Sequence, residues 1–84
     1  MRLAAPLLLT LLLPAVAGAS TATSQDEVRF GIEVAKRGLW QEARFRFERA
    51  VELNPDNASA LNNLAIALEQ QGDFARARDA YEKA

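Results

Sequence analysis

The chain has 84 residues, half of them apolar, and its 10 Lys and Arg against 11 Asp and Glu leave a net charge of −1. It contains neither Cys nor His, which excludes disulfides, Cys or His zinc sites, Cys nucleophiles and His general bases. So balanced a charge also lacks the strongly basic face that nucleic-acid binding needs, and no nucleic-acid partner is expected.

The first 20 residues differ from the rest. A single charge, Arg2, precedes the leucine-rich run Leu3–Leu13, and Pro14 and the small residues Ala15–Ala19 follow. A positive start, an apolar stretch of about ten residues and an A-x-A site make a secretory signal peptide. Ala17, Gly18 and Ala19 supply that site and place cleavage before Ser20, with Ala15-Val16-Ala17 as a second site. Residues 1–19 are therefore assigned as the signal and 20–23 as a polar linker, and the protein is expected to be exported, periplasmic or secreted. The alternative is an uncleaved membrane anchor. The uncharged run Leu3–Ser20 is near the lower limit of about 17 residues for spanning a bilayer, and Pro6 and Pro14 interrupt it. In that case alone would a membrane be a partner.

From Ser24 the pattern becomes helical. Ser24-Gln25-Asp26-Glu27 has the S-x-x-E form of a capping box. Val28, Phe30, Ile32, Val34 and Ala35 then supply apolar groups, and Gly38 suits a left-handed helix end. A second helix is predicted from about Trp40 to Leu53, with Trp40, Ala43, Phe47, Ala50 and Val51 on one apolar face. Asn54-Pro55-Asp56 breaks it, because Pro lacks a donor and disfavours helix before it. The third helix starts near Asn57, runs through Leu61, Leu64, Ala65 and Leu68 to Gln71, and stops at Gly72. Asp73 can cap the fourth, whose apolar face is Phe74, Ala77, Ala80, Tyr81 and Ala84. With four capped or terminated helical stretches, the chain beyond the signal is predicted all-α.

These helices form two approximate copies of one unit. At an offset of 34 residues Ile32 falls on Ile66, Gly38 on Gly72, Ala43 on Ala77, Arg44 on Arg78 and Glu48 on Glu82. Phe30 meets Leu64, Val34 meets Leu68, Trp40 meets Phe74 and Phe47 meets Tyr81 at the same offset. Self-similarity at such a period means stacked supersecondary units, which usually present binding surfaces.

Helix, tight turn and helix in 34 residues, with Ala at the close contacts, resembles a tetratricopeptide repeat. The carrying residues are Phe30-Gly31 and Val34 in the first copy and Leu61, Leu64-Ala65 and Leu68 in the second. Gly38/Trp40 and Gly72/Phe74 form the turns, and Ala43, Phe47, Ala50 and Ala77, Tyr81, Ala84 form the second-helix signature. Pro55 closes the first copy. Glu27 departs from the pattern, standing where a large apolar residue is usual, and Leu39 stands where a polar cap is usual. The resemblance implies antiparallel helix hairpins stacked as a short right-handed solenoid, with one repeat at 24–57 and an incomplete one at 58–84. Gly31 or Ala65 facing Ala43 or Ala77 would let helix axes approach to about 8 Å. Phe30, Val34, Trp40, Ala43, Phe47, Leu64, Leu68, Phe74, Ala77 and Tyr81 are the expected packing core. The second copy stops at Ala84, so the last helix should expose Phe74, Ala77 and Tyr81 where a further repeat would stack. Either the sequence is a piece of a longer protein, or that face relies on self-association or a partner.

The carboxylates are dispersed and pair with basic residues four apart: Glu42 with Arg46, Arg44 with Glu48, Arg78 with Glu82 and Asp79 with Lys83. Such helix-face pairs contribute a few tenths of a kcal/mol each. Arg44, Arg46 and Arg49 are expected on a solvated convex face. Nothing resembles a nucleophile with its base, a phosphate loop or a metal set, so no catalysis, cofactor, metal or small-molecule substrate is expected.

The resemblance implies a concave groove lined by the first helix of each repeat. Here that surface is Arg29, Ile32 and Lys36, then Asn62, Asn63, Ile66 and Gln70. An amide at Asn63 offers donor and acceptor to the backbone of an extended peptide, and Arg29 and Lys36 favour acidic side chains. Two functions follow: an exported module binding a protein or peptide partner in this groove, or an assembly element docking through its open C-terminal helix face. An accessory domain of an enzyme is a third.

Overall fold

The structure, a computed structural model, describes residues 21–84. The assigned signal peptide, its cleavage sites and the anchor alternative lie outside the described residues. Among those residues there are four helices and no strand: α1 Ser24–Ala35, α2 Trp40–Leu53, α3 Ala58–Gln70 and α4 Phe74–Lys83. The chain is all-α, and both copies start in register, with Ser24 and Ala58, and Trp40 and Phe74, each 34 residues apart.

Local chemistry sets the ends. The expected capping box at Ser24 and Glu27 forms one residue earlier. Thr23 is extended, its Oγ1 accepts from the Asp26 N–H at 3.1 Å, and its own N–H donates to Asp26 Oδ2 at 3.0 Å. These bonds, the backbone one first, together with Arg29, hold the Asp26 carboxyl below its ordinary value. Ser24 is drawn elsewhere: its hydroxyl donates to the Ala50 carbonyl at 2.7 Å and accepts from Asn57 Nδ2 at 2.9 Å. Asn57 and Asp73 cap α3 and α4 through the Ala60 and Arg76 N–H groups. Leu39, at the equivalent place before α2, makes no side-chain cap.

Gly38 and Gly72 both adopt positive φ, +78° and +82°. That conformation lets the Leu39 and Asp73 N–H groups donate back to the Val34 and Leu68 carbonyls at 3.2 and 2.9 Å, closing each helix in a left-handed end that glycine adopts without penalty.

α1 packs on α2 and α3 on α4, and α3 also lies against both helices of the first hairpin. Ala43, Ala50, Ala60, Ala65 and Ala67 are fully buried at these contacts, where small side chains allow close approach. One cluster joins Val34, Ala43, Phe47 and Ala67, with Trp40 and Leu64 packed on it; others are built on Val28, Ala50 and Ala60, and on Ala65, Leu68, Ala77 and Ala80. Phe47 is the largest side chain fully buried. It lies directly over Gly31, where a Cβ would stand 2.8 and 2.9 Å from ring atoms Cδ1 and Cζ and closer still to Cε1. The close neighbour of Gly31 is thus the ring of Phe47, where Ala43 or Ala77 was the expected facing residue.

Three of the residues expected in the core are exposed: Phe30 at 47%, Phe74 at 67% and Tyr81 at 40%. Their counterparts show why. Leu64, at the position of Phe30, packs between the first and second hairpins, and Trp40 and Phe47, at the positions of Phe74 and Tyr81, lie against the cluster that α3 completes. No described helix covers the outer side of α1 or of α4. Ala77, by contrast, is buried against α3, not open as expected. Trp40 and Leu64 are half-buried.

The expected solvated convex face is also more structured. Glu27 is buried at 5% exposure. Its carboxylate pairs with Arg46 at 3.5 Å and Arg49 at 4.0 Å. The Arg46 guanidinium lies 4.1 Å from the Phe30 ring centroid and 5.5 Å from that of Phe45, and Arg46 also pairs with Glu42 at 3.1 Å. Arg44 donates to Glu48 and, across to the second hairpin, to Gln71 at 3.1 Å. Asp79–Lys83 forms at 3.7 Å, whereas Arg78 and Glu82 form no ion pair among the described residues.

The Gly31→Ala variant is expected to lose about 1–3 kcal/mol, because the added methyl overpacks a buried ring. The same glycine-to-alanine change is already present at Ala65, where Tyr81 stands further out. Denaturant unfolding followed by circular dichroism checks the loss.

Tyr81 donates its hydroxyl to Glu69 Oε1 at 2.9 Å, and this bond, then partial desolvation and the Glu69 charge, raise its pKa above the ordinary 10.0. A raised value means that the bond's stabilisation is complete below the ordinary value and is lost as pH rises through the folded one. The chain has a single Tyr, so ultraviolet absorbance titration of tyrosinate reports it alone. Its midpoint is expected above 10.0 in the folded protein and lower in the Glu69→Gln variant.

Candidate partner-binding groove

The turn at Gly38 brings Trp40 back beside the end of α1, and the stacking of α3 on α1 sets Ile66 opposite Ile32. Between them lies an open depression of about 200 Å3 lined by Ile32, Ala35, Lys36, Trp40, Phe47, Asn63 and Ile66. Ile32 and Ile66 occupy the same place in the two copies, so the walls are one repeated position seen twice. The floor is apolar, and Lys36 and Asn63 are the polar groups that reach it.

Of the seven residues expected on this surface, Ile32, Lys36, Asn63 and Ile66 line the depression. Arg29, Asn62 and Gln70 are exposed but stand outside it. Arg29 is held by Asp26 through an ion pair on its own helix. Lys36 Nζ lies 3.5 Å from Glu33 Oε2, with both side chains 68% exposed. Asn63 is half-buried, and its Nδ2 donates to the Ser59 carbonyl at 2.8 Å. Its Oδ1 accepts no hydrogen bond among the described residues, leaving an acceptor beside the depression.

Trp40 and Phe47 were expected as core alone; the structure makes them lining as well. The signal available in the sequence was the place of Trp40, two residues after the turn glycine, which returns its ring toward α1. The Glu27–Arg46 pair joins two helices, which the spacing within a single helix does not signal. Its trace is that Glu27 and Arg46 stand where the second copy has Leu61 and Ala80, so both partners change together.

A second depression of about 630 Å3 lies on the outer side of the first hairpin, lined by Phe30, Val34, Arg37, Leu39, Trp40, Gln41 and Glu42. A third, of about 280 Å3, runs between α2 and α4 over Leu61, Leu64 and Leu68. Among the described residues no three or more His, Cys, Asp or Glu gather as a metal set.

The family model described as Tetratricopeptide repeat matches residues 28–84. Neither the search of curated proteins nor that of solved structures returned a match. Repeats of this family generally mediate protein–protein interaction. With two helix hairpins in 34-residue register and a family match across both, the chain belongs to the tetratricopeptide-repeat family.

Proposed function

We propose that this chain is a non-catalytic protein-interaction module whose depression between α1 and α3 binds an extended segment of a partner protein. The observation that carries the reading is the convergence of Ile32, Trp40, Ile66, Lys36 and Asn63 on one depression. An apolar floor with a few placed polar groups is what a recognition site requires. The partner's backbone N–H meets Asn63 Oδ1, and Lys36 favours acidic neighbours. Two repeats offer little area, so the affinity is modest and the complex transient.

A second reading is favoured by the exposure of Phe74, whose counterpart Trp40 is half-buried. In that reading α4 docks onto another protein and the chain serves as an assembly element. The place where a partner protects the chain separates the two: Asn63 and Ile66, or Phe74 and Tyr81.

Asn63→Ala is expected to weaken partner binding by about 1–3 kcal/mol if the amide is desolvated in the complex, with helicity unchanged. Glu52→Ala, on an exposed side of α2 away from the depression, is expected to leave binding intact. Isothermal titration with the captured partner makes the comparison. Loss of binding in the Glu52 variant alone overturns the groove reading.

Export belongs to the same proposal. Arg2, the apolar run and Ala17-Gly18-Ala19 support a protein that matures at Ser20 outside the cytoplasm. N-terminal sequencing of the protein from a non-cytoplasmic fraction is expected to begin at Ser20. An intact Met1 in the membrane fraction supports the anchor instead.

A further inference from the structure

Resting on the groove reading, we propose that the depression between α1 and α3 receives one bulky aliphatic side chain of the partner, with a carboxylate on the adjoining residue paired to Lys36. Five of the seven lining residues are apolar, and the volume of about 200 Å3 is that of a notch, not of a channel for a longer chain. An inserted aliphatic group gains with each methylene removed from water, so the anchor contributes more than any exposed polar contact. The backbone carrying it crosses the rim at Asn63, whose Oδ1 is free to accept.

The charge at the rim selects the neighbour. Lys36 is the one charged residue in the lining. Its contact with Glu33 is long and joins two largely exposed side chains, so exchanging Glu33 for a partner carboxylate costs little. Arg29 is not equivalent. Its partner Asp26 is also fixed by the Thr23 N–H, which anchors Arg29 about 10 Å along the helix from Lys36. The nearest acid on α3, Glu69, is engaged by Tyr81 and does not line the depression. A carboxylate on the partner therefore meets a cation at the rim, with no acid in the lining to oppose it.

Four blocked tetrapeptides test the proposal against the full chain: acetyl-Gly-Leu-Asp-Gly-amide, the forms with Asn or Lys in place of Asp, and the form with Ala in place of Leu. Binding is read from emission of Trp40, the single Trp of the chain, and from nuclear magnetic resonance shifts at Asn63 and Ile66. The leucine–aspartate peptide is expected to bind about three- to fivefold more tightly than the leucine–lysine form, with the asparagine form between them. It is expected to bind about tenfold or more tightly than the alanine form. In the Lys36→Gln variant the aspartate and lysine forms converge while the preference for leucine over alanine persists. Shifts at Asn63 and Ile66 without either preference overturn this proposal and leave the groove reading in place. Shifts confined to Phe74 and Tyr81, or none with any peptide, overturn both.

Discussion

The placement of the Phe47 ring against the bare backbone of Gly31 is the contact on which the molecule rests. A side chain at residue 31 would occupy the space of that ring, so α1 and α2 approach as closely as they do because one residue contributes nothing beyond its backbone. Fully buried alanines continue the same close approach into the second hairpin. Interiors packed in this way tolerate little change of volume, and the many short contacts sum to a large attraction. The position of α3 follows, because Ala60 and Ala67 seat it against Ala50 and Phe47 of the first hairpin.

The two ends of this stack meet solvent by different chemistry. On the outer side of α1, Glu27 and Arg46 replace the apolar pair Leu61 and Ala80 found in the second copy. The Arg46 guanidinium lies over Phe30 while its charge meets Glu27 and Glu42. A cation on an aromatic face keeps the ring partly covered and the surface polar. α4 has no comparable device. Phe74 stands open, and Tyr81 is turned so that its hydroxyl reaches Glu69. Both hairpins thus present apolar residues outward, but on the first the Phe30 ring carries a guanidinium and on the second Phe74 stands without one.

Between these ends the repeat itself generates the groove. Ile32 and Ile66 are one position in two successive copies, and so are Arg29 and Asn63, and Lys36 and Gln70. Equal spacing makes paired walls, and differences within pairs make the walls chemically distinct: a cation on the α1 side and an amide on the α3 side. Trp40 joins the lining because the Gly38 turn brings the start of α2 back against α1. The features that build the fold therefore also build the depression.

What the sequence by itself determined is what short-range chemistry controls. Glycines at 38 and 72, Asn57 and Asp73 as caps, Pro55 after α2 and the apolar spacing within each helix act within a few residues, and each stands where the local rules put it. The first cap shows the limit of such rules. Thr23 and Ser24 both carry a capping hydroxyl, and Asp26 and Glu27 both offer the reciprocal carboxylate. The choice fell to Thr23 and Asp26 because the Ser24 hydroxyl bonds to Ala50 and the Glu27 carboxylate pairs with Arg46, partners 26 and 19 residues away along the chain. Burial is decided in the same way. Trp40 and Phe74, or Phe47 and Tyr81, are alike in type and place within their helices, yet in each pair the first lies against α3 and the second is exposed. Exposure depends on which helix stands opposite, and that is a property of the assembled stack that no single helix carries in its own pattern.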